Sequence, residues 1–497
     1  MPESDRVSES GVGVTGMESW GFQNFGDCQL GDKRLNQRAL EIGKALVVGF
    51  GQALSMIFKE ENPLKRAYEF FANPKAQFNN LTQPHRETTA RETQTLPVIL
   101  AVGDTTFLDY KNIKAKRDGY GPIGNGGNGL ILHTTLAVEP EFGQSLGLLW
   151  QKLWHREPKA PPPVPETPKQ KKIRQAQERK ANRNRPFEAK ESYRWVEALK
   201  AVEHLFQQVE KQFKEAKEQL EEPLEAIGPL TRIVHIFDRE GDLTEVFDSV
   251  LKMERTGVIV RAAHDRSLEP DNSHLWEDLH GKPIQFYQEI ELPETAKRKA
   301  RQANLAVRFY PVQLRLPRRL KNSGSLNVYA VYAAEIEPPV GVEAVEWMLL
   351  TTERVMNESQ ATTILRWYTY RWHVEEYHKI LKSGCQVESY RLAATSMEAL
   401  LGFLTVIAAE LLRTTYMHRT QPDAPATNVL SPVQMNVLLA SSSKLPKDLT
   451  VAWAIEAVAR LGGYLGHRRG TPIGIQVLWR GWLKLASLCE GWELARS

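Results

Sequence analysis

Val98-Ile99-Leu100-Ala101-Val102-Gly103-Asp104 is the stretch on which the fold turns. Five successive apolar residues closed by Gly-Asp read as a strand buried within a sheet rather than as an amphipathic segment. Two more strand candidates follow, Leu130 to Val138 and Leu146 to Trp150, and adjacent strands suggest a meander. Further on, Arg232-Ile233-Val234-His235-Ile236-Phe237 repeats the pattern and ends at Asp238. A helix is expected over Leu243 to Met253, and another strand at Gly257-Val258-Ile259-Val260. That βαβ rhythm belongs to a mixed α/β layer fold.

Outward from this core the texture changes on both sides. Leu30 to Val48 has apolar residues at helical spacing, and a second helical stretch through Ala67, Tyr68, Phe70 and Phe71 closes at Asn73-Pro74, so the N-terminal unit reads as small and helical. Residues 158–168 hold six prolines, and Lys169 to Arg185 carries eight basic residues against the single acid Glu178. An extended linker giving way to a solvated basic segment is the plain expectation there. Helical periodicity runs from Trp195 to about Leu220. From about Ser267 to Glu353, alternation in Leu305-Val307-Phe309 and Leu326-Val328-Ala330 predicts an antiparallel insertion. Helices are expected again over Thr362 to Lys382 and Met397 to Leu412, then in a last unit with Trp453, Trp479 and Trp482.

Composition excludes whole classes. The 497 residues contain 64 Lys plus Arg against 60 Asp plus Glu, a net charge of +4, with 42% hydrophobic side chains. Such a chain is neither collagen-like nor wholly disordered, and its length predicts two to four domains. Cys28, Cys385 and Cys489 are far apart and odd in number, which argues against a disulfide framework and fits a reducing cytoplasm. Met1 to Gly16 is polar, unlike a secretory signal, and Met17 is an alternative start. The apolar run Ala399 to Ala409 falls short of the roughly 20 residues of a membrane span and reads as a buried helix.

Chemistry concentrates at three acids. Asp104 and Asp238 each end an apolar strand, and Glu375 lies on a predicted helix, separated by 134 and 137 residues, so only the fold can unite them. At about 100° per residue, Tyr368, Arg371, Glu375 and Lys382 fall within about 60° of one another on one helix face. A carboxylate among cations and a phenol suits a divalent metal beside gripped phosphates; a salt-bridged surface helix has the same composition. Rival motifs are weaker. Gly119-Tyr120-Gly121-Pro122-Ile123-Gly124 matches GxGxxG, but no helix pattern follows, so a loop is expected. His373 and His378 are five residues apart, off the shared face of a His-Glu-x-x-His zinc site. No Walker loop or Gly-x-Ser-x-Gly elbow occurs, which leaves no motif for a nucleotide cofactor. In Asp238-Arg239-Glu240-Gly241-Asp242, Asp242 is a candidate cap for the helix near Leu243.

Together these residues resemble bacterial DDE transposases of the insertion-sequence class with the Tyr-Arg-Glu-Lys signature. That group includes the cut-and-paste transposase of the composite kanamycin-resistance transposon. The resemblance rests on Asp104-Thr105-Thr106, Asp238-Arg239-Glu240 and Tyr368-x-x-Arg371-x-x-x-Glu375-x-x-x-x-x-x-Lys382, in that order. Support comes from Trp20, Leu30-Gly31-Asp32, Arg38, Trp347-Met348-Leu349-Leu350-Thr351 and Ala459-Arg460-Leu461-Gly462-Gly463. It implies an α/β fold with an RNase H-like mixed-sheet catalytic core at 91–395 and an antiparallel β insertion at about 265–355. A helical N-terminal domain at 1–90 would bind transposon ends, and a helical region at 396–497 would dimerise.

By the same resemblance, Asp104, Asp238 and Glu375 are catalytic and bind two Mg²⁺ ions, with Mn²⁺ able to substitute. Tyr368, Arg371 and Lys382 hold DNA phosphates, Trp347 stacks on or captures a flipped base, and Lys33, Arg34 and Arg38 read the end sequence. The implied partners are double-stranded DNA, both transposon ends and target, and a second copy of the chain in the DNA complex, with no membrane. The implied activity is Mg-dependent nicking, hairpin formation, hairpin opening and strand transfer. A structure-specific metal nuclease and a non-catalytic DNA-binding inhibitor are the alternatives. Lys297, Arg298, Lys299 and Arg301 are composition-based candidates for backbone contact. The stretch 158–185 does not match the family pattern.

Overall fold

The computed structural model describes residues 21–49, 51–113, 118–124, 126–158, 166–219, 230–292, 301–317, 320, 326–442, 446–466 and 473–495. The leader Met1 to Gly16, Met17, Trp20, the prolines within 159–165, and Lys297, Arg298 and Lys299 lie outside the described residues.

One mixed sheet organises the molecule. Its strands are β1 (Val98–Asp109), β2 (Gly121–Gly124), β3 (Gly127–Val138), β4 (Ser145–Trp154), β5 (Arg232–Phe237), β6 (Thr256–Arg261), β7 (Phe286–Leu292), β8 (Arg301–Leu314), β9 (Leu326–Glu335) and β10 (Glu346–Thr351). They run in the order β2-β3-β1-β5-β6-β10-β9-β8-β7, with β4 also on β3. The expected meander is present: β1 with β3 and β3 with β4 are antiparallel. β5 lies parallel to β1, and β6 parallel to β5. The antiparallel strands of the insertion do not form a separate sheet. β10 pairs with β6 and β9, so the insertion covers what would otherwise be a free edge. The glycine-rich stretch expected as a loop instead forms β2, paired with the start of β3: a short glycine strand needs only backbone partners and leaves no side-chain periodicity to read.

Helices cover both faces of this sheet. The principal ones are α1 (Lys33–Val48), α2 (Glu61–Phe71), α3 (Phe78–Thr93), α4 (Pro168–Asn184), α5 (Arg194–Gln219), α6 (Thr244–Val250), α7 (Glu358–Thr369), α8 (Trp372–Lys379), α9 (Ala394–Thr420), α10 (Pro432–Ser441), α11 (Val451–Leu461) and α12 (Ile475–Leu494). Strand alternation partitions the core. Leu100 and Val102 join the largest cluster with α9, while Ile99 and Ala101 pack on Ala198, Val202 and Phe206 of α5. α9 is long and apolar enough to cross a membrane by length and composition, yet most of it is buried within the fold. Its Phe403 ring lies 4.9 Å from Phe25, 6.0 Å from Phe70 and 6.3 Å from Phe71, which ties the N-terminal helices to the last quarter of the chain.

The stretch after the prolines is helical where a solvated linker was expected. Thr167 and Gln170 form a reciprocal capping box and Pro168 occupies the first turn of α4, a start signal that outweighs the polar composition. No residue of α4 is buried.

Candidate functional site

Parallel pairing places the two aspartates. β1 and β5 are in register up to Val102 opposite Ile236, and two residues further along each strand stand Asp104 and Asp238. Asp104 is still within β1, paired across to Thr134 of β3, whereas Asp238 follows the last residue of β5. Each carboxylate is fixed by its own backbone. Asp104 Oδ1 accepts from the Thr105 N–H at 2.7 Å, and Asp238 Oδ1 accepts from the Glu240 N–H at 2.8 Å, which caps a short 3-10 turn. Burial first, and the charge of Asp238 second, push the Asp104 carboxyl up to about 7. Glu375 adds to the rise, while the Thr105 N–H and Arg371 oppose it. Asp104 thus sits in protein of low polarity within electrostatic reach of both Asp238 and Glu375.

Glu375 reaches this point from a helix that differs from the expected one. Instead of one helix through Lys382, α7 ends at Thr369, and Tyr370 and Arg371 donate to Trp367 O and Tyr368 O through tightened i to i−3 bonds. α8 then carries Glu375 and passes into a π-helical turn, Ile380–Gly384, that holds Lys382. Tyr368, Arg371 and Glu375 remain neighbours across this junction, whereas Lys382 belongs to the widened turn that follows. Arg371 lies between acids: its Nη1 is 2.7 Å from Glu375 Oε1 and 3.9 Å from Asp104 Oδ2. Lys382 points to a different acid, Glu388, at 3.7 Å.

Tyr368 is buried, and its phenol is raised by burial, with Arg371 and Arg261 pulling it back. Its ring meets Trp347 edge-on at 5.2 Å. Trp347 is only 8% exposed in this state, so a base could stack on it only where the indole face is uncovered.

Sequence reading missed Arg194. At the start of α5, its Nε donates to Thr105 Oγ1 at 3.0 Å and its Nη2 to Glu240 Oε2 at 2.5 Å, which links the residues that follow the two aspartates. Thr105 Oγ1 is also 2.8 Å from His133 Nδ1. Burial keeps the His133 imidazole far below its usual range and therefore neutral, and the Thr105 hydroxyl joins Arg194 and His133 in one hydrogen-bonded set. No motif signals Arg194; it becomes visible only when α5 is laid against β1. Asp242, expected as a helix cap, does not cap α6. It is 1% exposed and clamped to Arg266 at 2.6 Å, and it accepts from the Ala263 and His264 N–H groups. Leu243 takes the cap position of α6, without a side-chain bond. Burial beside an arginine is worth more to that carboxylate than an exposed helix end.

At the N-terminus, Lys33 and Arg34 open α1 exposed to solvent, where Asp32 caps the helix by accepting from the Arg34 N–H. Arg38 is held by Glu41 at 2.9 Å. Residues 17–76 match the transposase DNA-binding family. A DNA-binding segment typical of transposases is thus present, and it contains all three of these cations. It precedes the mixed sheet that carries the acids, and α2 and Phe25 within it pack on α9.

The fold therefore gathers Asp104, Asp238, Glu375, Arg371 and Tyr368, with Trp347 against Tyr368. It sets Lys382 on a neighbouring ion pair and leaves Lys33, Arg34 and Arg38 on α1. As the side chains stand, no group of three or more His, Cys, Asp or Glu among the described residues closes into a metal cage. The donor chemistry nevertheless suits a hard divalent cation: oxygen ligands only, with mutual repulsion that such an ion relieves.

Proposed function

We propose that this protein is a cut-and-paste DNA transposase of the Tyr-Arg-Glu-Lys group, with an RNase H-like catalytic core. The observation that carries this reading is the pair of aspartates at equivalent ends of parallel β1 and β5, electrostatically joined to Glu375, in a chain that also holds a transposase DNA-binding segment. The strand arrangement supports it: an antiparallel meander, β4, β3 and β1, continued by parallel β5 and β6. In this reading residues 1–90 bind transposon ends, 91–395 form the catalytic domain with its β insertion at about 265–355, and 396–497 contribute to dimerisation on DNA.

Asp104, Asp238 and Glu375 would hold Mg²⁺, two ions in the full reading, with Mn²⁺ as substitute. The metal, when bound, supplies charge neutralisation and activation of a water or 3′-hydroxyl for in-line displacement at phosphorus. The chain's own residues do the rest. Arg371 stands between Asp104 and Glu375 as their counter-charge and is placed to turn to an incoming phosphate. Tyr368 fixes Arg371 and Arg261 around Asp238. Arg194, through Thr105 and Glu240, keeps the two strand ends at one spacing as substrate charge arrives. Trp347 takes an extruded base if its contact with Tyr368 opens, a stacking worth about 1 to 3 kcal/mol.

The test is direct. The purified chain is incubated with duplexes carrying its flanking end repeats and Mg²⁺, and nicks, hairpins and joined products are resolved on denaturing gels. Loss of every product in Asp104→Ala with DNA binding retained is the expected result. Undiminished cutting by that variant would refute the assigned acids, and cutting without joining would reduce the protein to a nuclease.

A further inference from the structure

We propose that α4 is a DNA-backbone clamp, with the exposed stripe Lys169, Lys172, Arg179, Lys180 and Arg183 holding phosphates of duplex DNA beside the acids. This deepens the transposase reading and rests on it.

The segment dominates the protein's charge. Residues 169–185 hold eight cations and one acid, a net of 8 − 1 = +7, whereas the whole chain nets +4. Everything else therefore sums to 4 − 7 = −3. A protein that must approach a polyanion has its excess positive charge in one helix.

Five of the eight cations of residues 169–185 gather on one side of that helix. At about 100° per residue, the five stripe residues fall within an arc of about 100°, while Lys171, Arg174 and Glu178 lie on the opposite side. Arg174 is partly covered and closes on Glu166 at 2.7 Å and Glu178 at 2.6 Å, and the stripe residues are all solvent-exposed. No residue of α4 is buried, so packing does not account for the gathering of five cations on one side. Polyanion binding makes use of both features. Lys169 to Arg183 spans about 21 Å at 1.5 Å per residue, about six base-pair steps of duplex.

Position links the stripe to the acids. Eight residues separate Arg185 from Arg194, and over that interval the Lys190 ammonium donates to Arg183 O at 3.2 Å. Glu191 then ties back to Arg156 at 2.9 Å, before Arg194 bonds to Thr105 and Glu240 next to Asp104 and Asp238. The base of the clamp is thus built into the residues that flank the acids. In the proposed clamp these cations meet phosphates rather than base edges, and such contacts carry no sequence information.

Binding of an end-repeat duplex and of an unrelated duplex of equal length is measured by fluorescence anisotropy across salt concentrations. The proteins are the full chain, a variant with all five stripe cations replaced by Gln, and one in which each Lys and Arg of the stripe is exchanged for the other. Far-UV circular dichroism checks folding. Each lost phosphate contact lowers the slope of log K against log salt by about 0.9. The Gln variant is expected to lose about three or more from that slope on both duplexes, with the preference for the end repeat unchanged and the exchange variant near wild type. Loss on the end repeat alone would make α4 an end-reading element, and a folded Gln variant within one slope unit of wild type would remove the clamp; either result overturns the proposal. Failure of the unmodified chain to bind either duplex would instead sink the transposase reading itself.

Discussion

Asp104 shows how a single carboxyl reports on its neighbours. Its folded pKa of about 7 lies above the unfolded value of about 3.9, so the folded, ion-free chain binds this proton more tightly than the unfolded one. The resulting stability is fully present below about pH 4 and is lost as pH rises through 7. In EDTA, Asp104→Asn is expected to flatten that dependence and to raise stability at pH 8 by on the order of 2–4 kcal/mol, read as a higher Tm; a lower Tm for the variant would show that the buried charge carries no penalty. Asp242 matters through its partner. Removing it leaves the Arg266 guanidinium without its buried partner, so Asp242→Ala should cost about 3–5 kcal/mol in urea unfolding. Breaking the exposed Lys252–Asp248 pair, at 2.8 Å, should cost under about 1 kcal/mol. The sequence could offer Asp242 only as a cap, because the arginine that claims it lies 24 residues on and across a strand.

At the scale of elements, apolar strands were readable because burial on both faces leaves an uninterrupted hydrophobic run, and the same was true of α9. Besides α4, two further helical features escaped. α3 carries Pro84 in its interior and many Thr, and Pro removes a backbone donor. It is a helix because tertiary burial of Phe78, Leu81 and Ala90 outweighs that cost. The break between α7 and α8 is invisible to periodicity because the chain stays in helical dihedrals and changes only its bonding step. Glycines in the C-terminal pair make a sharper case. A Cβ on Gly481 would lie 1.8 Å from Val458 O, and one on Gly462 1.9 Å from Val477 O, so α11 and α12 meet backbone to backbone. In an exposed helix, Gly→Ala stabilises by about 1 kcal/mol. Here Gly481→Ala should destabilise by at least about 1–3 kcal/mol, and a rise in the urea midpoint would show that the helices part without penalty.

For the whole molecule, sheet order was beyond sequence reading: nothing in the alternation of β7 to β9 says that β10 returns to pair with β6. Convergence of the acids was likewise legible only through resemblance, since separations of 134 and 137 residues carry no geometric information. Charge told more, because the basic run was plain in the sequence even though its helical form was not. The packing of Phe403 among Phe25, Phe70 and Phe71 predicts that a chain ending at residue 392 will lack a fixed N-terminal unit, seen as lost near-UV circular dichroism and rapid proteolysis within 21–93. Resistance equal to that of the full chain would show that this unit stands alone. The same aromatic contact sets a schedule during synthesis. From Phe71 to Phe403 the ribosome must add 332 residues, about 17 to 66 seconds at 5–20 residues per second. Throughout that interval the nascent DNA-binding segment waits without its hydrophobic seat, so translation that stops early releases polypeptides in which the first-made part has never been locked into place.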